Sequence, residues 1–173
     1  GVDTADYTGS FPGVDVDLER GSGLGGDADG DTLDSIENVV GSDAADQIAG
    51  DAGANRLVGG GGADLLSGRD GDDALIGGAG DDSLIGGAGD DVIEGGAGTD
   101  VATFVGLFND HSLVFDGGVL IVSGPDGVDT LSGIEMLAFD DGLFDVATQQ
   151  FLGNSAPVAA DDELSVQEDG ALT

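Results

Sequence analysis

The chain has 173 residues, of which 36 are Asp or Glu and 3 are Lys or Arg, giving a net charge of −33 at pH 7, while 39% of it is hydrophobic. Arg20, Arg56 and Arg69 are its only strong positive charges and are too scattered to build a basic face, which excludes nucleic-acid and anionic-lipid partners. Without cysteine there are no disulfides or thiolate metal sites, and a self-repelling chain this rich in apolar residues needs high salt or bound cations to compact.

The opening Gly1-Val2-Asp3-Thr4-Ala5-Asp6-Tyr7 matches Gly98-Thr99-Asp100-Val101-Ala102-Thr103-Phe104, so the chain starts in mid-pattern and reads as a piece of a longer polypeptide. The sequence given holds no apolar run long enough for a membrane span and no basic-then-apolar leader, which says little about a parent protein. In the N-terminal flank, Val14, Val16 and Leu18 alternate with Asp15, Asp17 and Glu19, the period of a strand. Asp27-Ala28-Asp29-Gly30-Asp31 has the spacing of an EF-hand loop start, but Thr32 and Asn38 stand where that loop needs Gly and Glu, so it reads as an acidic turn.

From Gly41 to Thr103 a nine-residue beat takes over. Its first position is Gly41, Gly50, Gly59, Gly68, Gly77, Gly86 and Gly95; its sixth is Asp46, Asn55, Asp64, Asp73, Asp82, Asp91 and Asp100. Its eighth is Ile48, Leu57, Leu66, Leu75, Leu84, Ile93 and Ala102. Each unit couples a glycine-rich polar turn to one inward side chain, which predicts a solenoid whose loops present carbonyls and carboxylates to a hard cation. Two units make one coil, so turns n and n+2 stack about 4.8 Å apart on one edge.

After the beat, Leu113, Phe115, Val119 and Ile121 flank the turn Asp116-Gly117-Gly118 and predict a hairpin. Asp129-Thr130-Leu131-Ser132-Gly133-Ile134-Glu135 echoes Asp31-Thr32-Leu33-Asp34-Ser35-Ile36-Glu37 at an offset of 98, that is 129 minus 31. The flanks read as caps over the solenoid ends, Tyr7 and Phe104 as end plugs, and the stretch 145–152 as the one helical candidate. From Asn154 a proline-bearing segment reads as a linker into a next domain, of which too little is present to fold. The predicted organisation is an N-terminal β-rich flank over 1–40, a repeat block over 41–103, a β-rich cap over 104–153, and the linker with the start of another domain over 154–173.

The units approach the pattern GGxGxDxUx and are cleanest in Gly77–Ile85 and Gly86–Glu94. In this they resemble the RTX (repeats-in-toxin, hemolysin-type) nonapeptides of large bacterial proteins exported by type I secretion. The resemblance implies an all-β fold, a calcium-binding parallel β-roll (β-solenoid), and about three to five Ca2+ ions. In that family an ion is held by carbonyls at positions 2 and 4 and the Asp at position 6 of one loop, with positions 1, 3 and 6 two repeats on. Carried over, one site uses Gly60, Gly62 and Asp64 with Gly77, Ala79 and Asp82. A second uses Arg69, through its carbonyl, with Gly71, Asp73, Gly86, Ala88 and Asp91. A third uses Gly78, Gly80 and Asp82 with Gly95, Ala97 and Asp100, so that Asp82 bridges two ions.

Two earlier pairings are weaker. Asn55 removes a charge from the site shared with Gly68, Asp70 and Asp73, and Ala44 replaces a position-4 glycine where Asp46 meets Gly59, Gly61 and Asp64. Asp72, Asp81 and Asp90, at position 5, are expected to point into solvent. Occupied ions are expected to concentrate between Gly59 and Asp100.

No enzyme activity is expected of this fragment: His111 stands alone and reads as a surface residue, and no nucleophile elbow or triad accompanies the serines. The carboxylates sit in turns, and there is no Trp to stack a sugar. The reading is a calcium-binding structural module that folds after export, secreted or at the cell surface, as part of a large adhesin, the choice favoured by a tail that resembles the opening of cadherin-like or immunoglobulin-like tandem domains. The alternatives are the secretion and folding module of an exported enzyme or toxin, or a polysaccharide-binding appendage. Extracellular polysaccharide or the cell surface is the expected partner beside calcium, with no membrane insertion by this fragment.

Overall fold

The computed structural model describes residues 1–153; the expected linker and next domain lie outside them. Four strands precede the repeat block: β1 (Thr4–Asp6), β2 (Asp15–Asp17), β3 (Ser22–Leu24) and β4 (Asn38–Val40). The block gives β5 (Gln47–Ala49), β6 (Arg56–Gly61), β7 (Leu65–Asp70), β8 (Ala74–Ala79), β9 (Ser83–Ala88), β10 (Val92–Ala97) and β11 (Val101–Thr103). Then come β12 (Ser112–Asp116), β13 (Val119–Ser123), β14 (Val128–Ser132), β15 (Met136–Phe139), β16 (Gly142–Asp145) and β17 (Gln150–Gly153). The remaining regular pieces among the described residues are two single-turn 3₁₀ segments, Gly26–Ala28 and Phe108–Asp110, and no helix there is long and apolar enough to cross a membrane.

Successive block strands alternate between two sheets. One sheet runs β1-β4-β6-β8-β10-β14-β13-β12, the other β17-β16-β15-β11-β9-β7-β5-β2-β3. Pairing is parallel from β1 to β14 and from β2 to β15, with 18-residue register inside the block, as in Leu57↔Leu75 and Leu66↔Leu84. This is a parallel β-roll. Its core is a stack of position-8 side chains: Leu57, Leu66, Leu75 and Leu84 are wholly buried, each contributing about 1.5–3 kcal/mol of hydrophobic stabilisation.

The parallel ladders do not stop at 41 and 103. Val39, Leu131 and Leu137 extend the same buried stack as partners of Leu57, Ile93 and Ala102, and Val16 does so beside Ile48. The flanks are therefore coils of the roll that end in antiparallel hairpins, β2-β3 on one side and β12-β13-β14 with β15-β16-β17 on the other.

One local expectation needs correction, while the predicted hairpin forms as β12 and β13. The stretch 145–152 is a strand end, a turn and a strand, because Phe144 and Phe151 pair across β16 and β17 and a helix would break that register. In the hairpin, Leu120 and Val122 are the buried pair, while Phe115 is 43% exposed, because β13 is fixed by pairing with β14, whose Leu131 faces the core.

Candidate metal centre

Each coil places its position-6 residue at the inner end of a turn, just before the strand that carries the position-8 side chain. Its carboxylate is drawn inward with that anchor: Asp64, Asp73, Asp82, Asp91 and Asp100 are all buried. One oxygen of each accepts a backbone N–H from the position-6 residue two repeats earlier, forming a rung per coil. The rungs are Asp46 N to Asp64 Oδ1 (2.8 Å), Asn55 to Asp73 (2.7 Å), Asp64 to Asp82 (2.9 Å), Asp73 to Asp91 (2.8 Å) and Asp82 to Asp100 (2.9 Å).

The other oxygen, Oδ2, has no hydrogen-bond partner at Asp64, Asp73, Asp82, Asp91 or Asp100. A buried, unpartnered carboxylate oxygen is costly, so five in register call for a ligand. Neighbouring carbonyls make the chemistry specific. A methyl placed on Gly59 would lie 2.2 Å from Asp64 Oδ2 and 2.7 Å from Gly77 O; on Gly77 it would meet Asp82 Oδ2 at 2.3 Å and Gly95 O at 2.7 Å. At Gly59, Gly68 and Gly77 an unpartnered carboxylate oxygen and a backbone carbonyl oxygen converge at the start of the turn, a set suited to a hard divalent cation.

Burial leads the consequences for proton affinity. It pushes Asp64 up to about 7 and Asp73 up to about 6, and raises Asp82, Asp91 and Asp100, with neighbouring carboxylates adding repulsion and the backbone rungs opposing it.

The first two turns differ. Asp46 Oδ2 accepts from Ser42 N (2.6 Å), and its Oδ1 from Ser42 Oγ (3.0 Å) and Val14 N (2.7 Å). Asn55 Oδ1 accepts from Asp51 N (2.8 Å), and its amide donates to Glu37 O (3.1 Å). These side chains are already satisfied by protein. The cause is position 2: Gly60, Gly78, Gly87 and Gly96 hold φ between +110° and +116°, and that backbone turn withholds the N–H that Ser42 and Asp51 give.

Arg69 keeps the open geometry without being glycine, at φ +81°, and its carbonyl faces Gly87 as Gly60 O faces Gly78. Its guanidinium runs the other way along the same edge. It grips Asp17 in bidentate fashion (3.0 and 2.9 Å), meets Glu19 at 3.2 Å and donates to Gly50 O. That pairing holds the Asp17 carboxyl below the usual range. Gly50 O is the counterpart of Gly77 O, so a side-chain cation serves the first turn of this edge.

The remaining expected residues fall as follows. Carbonyls at positions 2 and 4 face the matching glycine two repeats on, as with Gly60 toward Gly78, Gly62 toward Gly80 and Gly71 toward Gly89. Position-3 carbonyls are engaged by protein: Ala79, Ala88 and Ala97 accept from Gly62, Gly71 and Gly80 N–H at 2.8 Å. Asp81 and Asp72 are exposed but accept N–H bonds from Thr99 and Asp90 (2.8 and 3.0 Å), a second, outer ladder. Gly61 and Asp70, expected at the weaker pairings, lie in strands β6 and β7. His111 is half-buried, packed against Phe104 and Phe139, its Nδ1 donating to Leu107 O at 2.9 Å. Tyr7 and Phe104 are buried, and Tyr7 donates to Asp31 at 3.0 Å. Among the described residues no three acidic or imidazole side chains converge; the site is built from carbonyls with at most two carboxylates.

Four residues beyond the beat join the ladder. Asp91 N donates to Asp129 Oδ1 (2.9 Å) and Asp100 N to Glu135 Oε2 (2.8 Å), continuing the rungs. Gly89 N donates to Asp126 O (2.9 Å), and Gly127, at φ +149°, faces Gly89 O. Burial and the charges of Asp91, Asp126 and Asp90 push Asp129 up to about 6. The signal was in the sequence: Gly124-Pro125-Asp126-Gly127-Val128-Asp129-Thr130-Leu131-Ser132 is a nonapeptide with Pro at position 2, out of phase because the hairpin intervenes.

A family model, the RTX calcium-binding nonapeptide repeat (4 copies), matches residues 32–66, 40–75 and 67–102. A solved structure, the extracellular lipase LipA from Serratia marcescens, is similar at 22% identity with a TM-score of 0.31, over 62% of this chain and 19% of that one. No curated protein matches the chain.

Proposed function

With residues 32–102 being RTX calcium-binding nonapeptide repeats, we propose that this calcium-binding module uses the ion to complete its fold, and that it does so outside the cell as part of a secreted or surface-attached protein. The observation that carries the reading is the row of five buried carboxylates, each with one unpaired oxygen. The residues that would hold calcium are Asp64, Asp73, Asp82, Asp91 and Asp100, with the carbonyls of Gly77, Gly86 and Gly95 and the position-2 and position-4 carbonyls of the same turns. Bound calcium supplies the positive charge that these buried oxygens lack. The chain's own part is to hold them in register through the backbone rungs and the leucine stack.

The magnitude suits a folding switch. At a dissociation constant near 10⁻⁴ M and calcium about a hundredfold higher, each independent site contributes about 2.7 kcal/mol. Three to five such sites amount to about 8–14 kcal/mol, comparable to the stability of a whole domain. In a calcium-poor compartment that contribution vanishes and a net charge of −33 opposes compaction. Circular dichroism during a calcium titration tests this. The β signal should rise on adding calcium to a chelated sample and not with equal magnesium; the same spectrum in chelator and in millimolar calcium sinks the proposal.

For the parent, the adhesin reading rests on the proline-bearing tail after Asn154. Tandem domains of one type following that tail in the parent support it, whereas a catalytic domain ahead of the roll replaces it with the exported-enzyme reading. The chain spans 19% of the lipase it resembles, so the parent's activity, its export by type I secretion and any polysaccharide or cell-surface partner stand as proposals.

A further inference from the structure

Five unpaired oxygens outnumber the three sites that the repeat block completes by itself. Asp64 Oδ2 faces the Gly77 turn, Asp82 Oδ2 faces the Gly95 turn, and Asp73 Oδ2 stands in the same place relative to the Gly86 turn, since Gly86 O lies 2.6 Å and Asp73 Oδ2 2.1 Å from a methyl on Gly68. That leaves Asp91 Oδ2 and Asp100 Oδ2, on residues 1% and 0% exposed, with no later nonapeptide of the uninterrupted beat to answer them. Both face the C-terminal flank.

We propose that the flank after the inserted hairpin completes two further calcium sites, one between Asp91 and the Asp126–Asp129 turn, the other between Asp100 and the Gly133–Glu135 turn. This rests on the calcium reading of the roll and extends it to residues outside the repeat match.

The second site is geometrically the closer copy. A methyl on Gly95 would lie 2.6 Å from Asp100 Oδ2 and 2.0 Å from Gly133 O, the same convergence as at Gly59 and Gly77. From Gly133 only one residue separates the position-1 glycine from the position-6 acid, where the block has four. Glu135 has the extra methylene that such a shortened turn needs, and its Oε2 takes the Asp100 N–H that an Asp takes elsewhere.

The first site reproduces four rungs of the block. Gly89 N to Asp126 O, Asp91 N to Asp129 Oδ1, Thr130 N to Asp91 O and Val128 N to Asp90 Oδ1 all fall between 2.8 and 2.9 Å. What differs is the position-1 carbonyl, which does not approach Gly86 as closely as elsewhere, the three atoms nearest a methyl there all belonging to Asp91. A charged residue, Asp126, replaces the usual alanine at position 3, and its Oδ2 accepts from Val105 N at 3.1 Å. Calcium here ties the hairpin β12-β13 and the strands β14-β15 to the roll, making the flank a ligand donor as well as a cover.

The test is the number of calcium ions bound per chain, by isothermal titration and equilibrium dialysis, for wild type, Asp129→Asn, Glu135→Gln and the exposed-hairpin control Asp116→Asn. Each of the first two should lose one ion with the β signal at saturating calcium retained; the control should lose none. Undiminished counts in both overturn this inference and leave the block's own sites standing, whereas a wild type that binds no calcium overturns the proposed function instead. Should either variant fail to fold, anomalous diffraction from wild-type crystals grown in calcium decides. Peaks beside Asp91 Oδ2 and Asp100 Oδ2 support the proposal, and peaks confined to the block defeat it.

Discussion

At the scale of single residues, two chemistries are superposed on each position-6 carboxylate: one oxygen is structural, the other is left for a cation. The unpaired oxygen makes the metal-free roll sensitive to protons. For Asp64 the folded proton affinity, about 7, exceeds the ordinary 3.8, so protonation favours the folded state. That contribution is complete below about 4 and is lost as pH rises through 7. In chelator, lowering the pH from 8 to 5 should therefore increase the β signal by circular dichroism, and a fall over that interval contradicts the burial argument. The Arg69–Asp17 pair does not interfere, since Asp17 is held low and stays ionised at pH 5. Glycine at position 1 is required by space and not by conformation. Gly77→Ala puts a methyl 2.3 Å from Asp82 Oδ2, and should cost about 1–3 kcal/mol in packing together with one ion. Gly53→Ala, on an exposed residue whose nearest neighbour is the half-buried Asp51 carboxylate at 3.3 Å, should be near neutral. Melting curves with and without calcium separate the two.

At the scale of elements, the roll has two kinds of turn, closed by an N–H at Ser42 and Asp51 and open from Gly59 onward. The distinction was partly legible in the sequence, since Ala44 and Asn55 mark the degraded units. The deciding residue at position 2 was not, because its effect passes through backbone φ. Arg69 is the informative exception: a positive φ costs a non-glycine residue about 1–2 kcal/mol, and the pairing with Asp17 and Glu19 offsets it. Arg69→Gly should relieve that strain, forfeit the ion pairs and leave the melting temperature in calcium nearly unchanged. It should also speed hydrogen exchange in β2 and β3, since Asp17 of β2 loses its guanidinium tie to β7 and keeps only the ladder with β5. Unaltered exchange there means the guanidinium is a surface ornament.

At the scale of the whole molecule, the 18-residue coil couples neighbouring sites, because Asp82 holds the Asp64 N–H with one oxygen and turns the other toward the Gly95 turn. Filling one site orders half of the next. Calcium titration curves should therefore be cooperative, with a Hill coefficient above one that falls toward one in Asp82→Asn; a non-cooperative wild-type curve contradicts that coupling. Net charge adds to the effect, since each ion removes two units of a self-repulsion that burdens the entire chain.

The nine-residue spacing by itself determined the architecture, because a fixed beat of glycine, acid and aliphatic leaves a coil with one buried stack as the way to satisfy all three. It also located Asp64 to Asp100, since inward aliphatic side chains at position 8 carry position 6 in with them. Only the tertiary structure decided where the ladder ends. Asp129 and Glu135 join it through pairing with strands 35 to 38 residues away, where an inserted hairpin shifts the nonapeptide at 124–132 out of phase with the beat, whereas Val39 stays in phase, 18 residues before its partner Leu57. The facing of that hairpin and the strand at 150–153 were likewise fixed by their partners, for alternation defines two faces of a strand and only packing chooses the buried one.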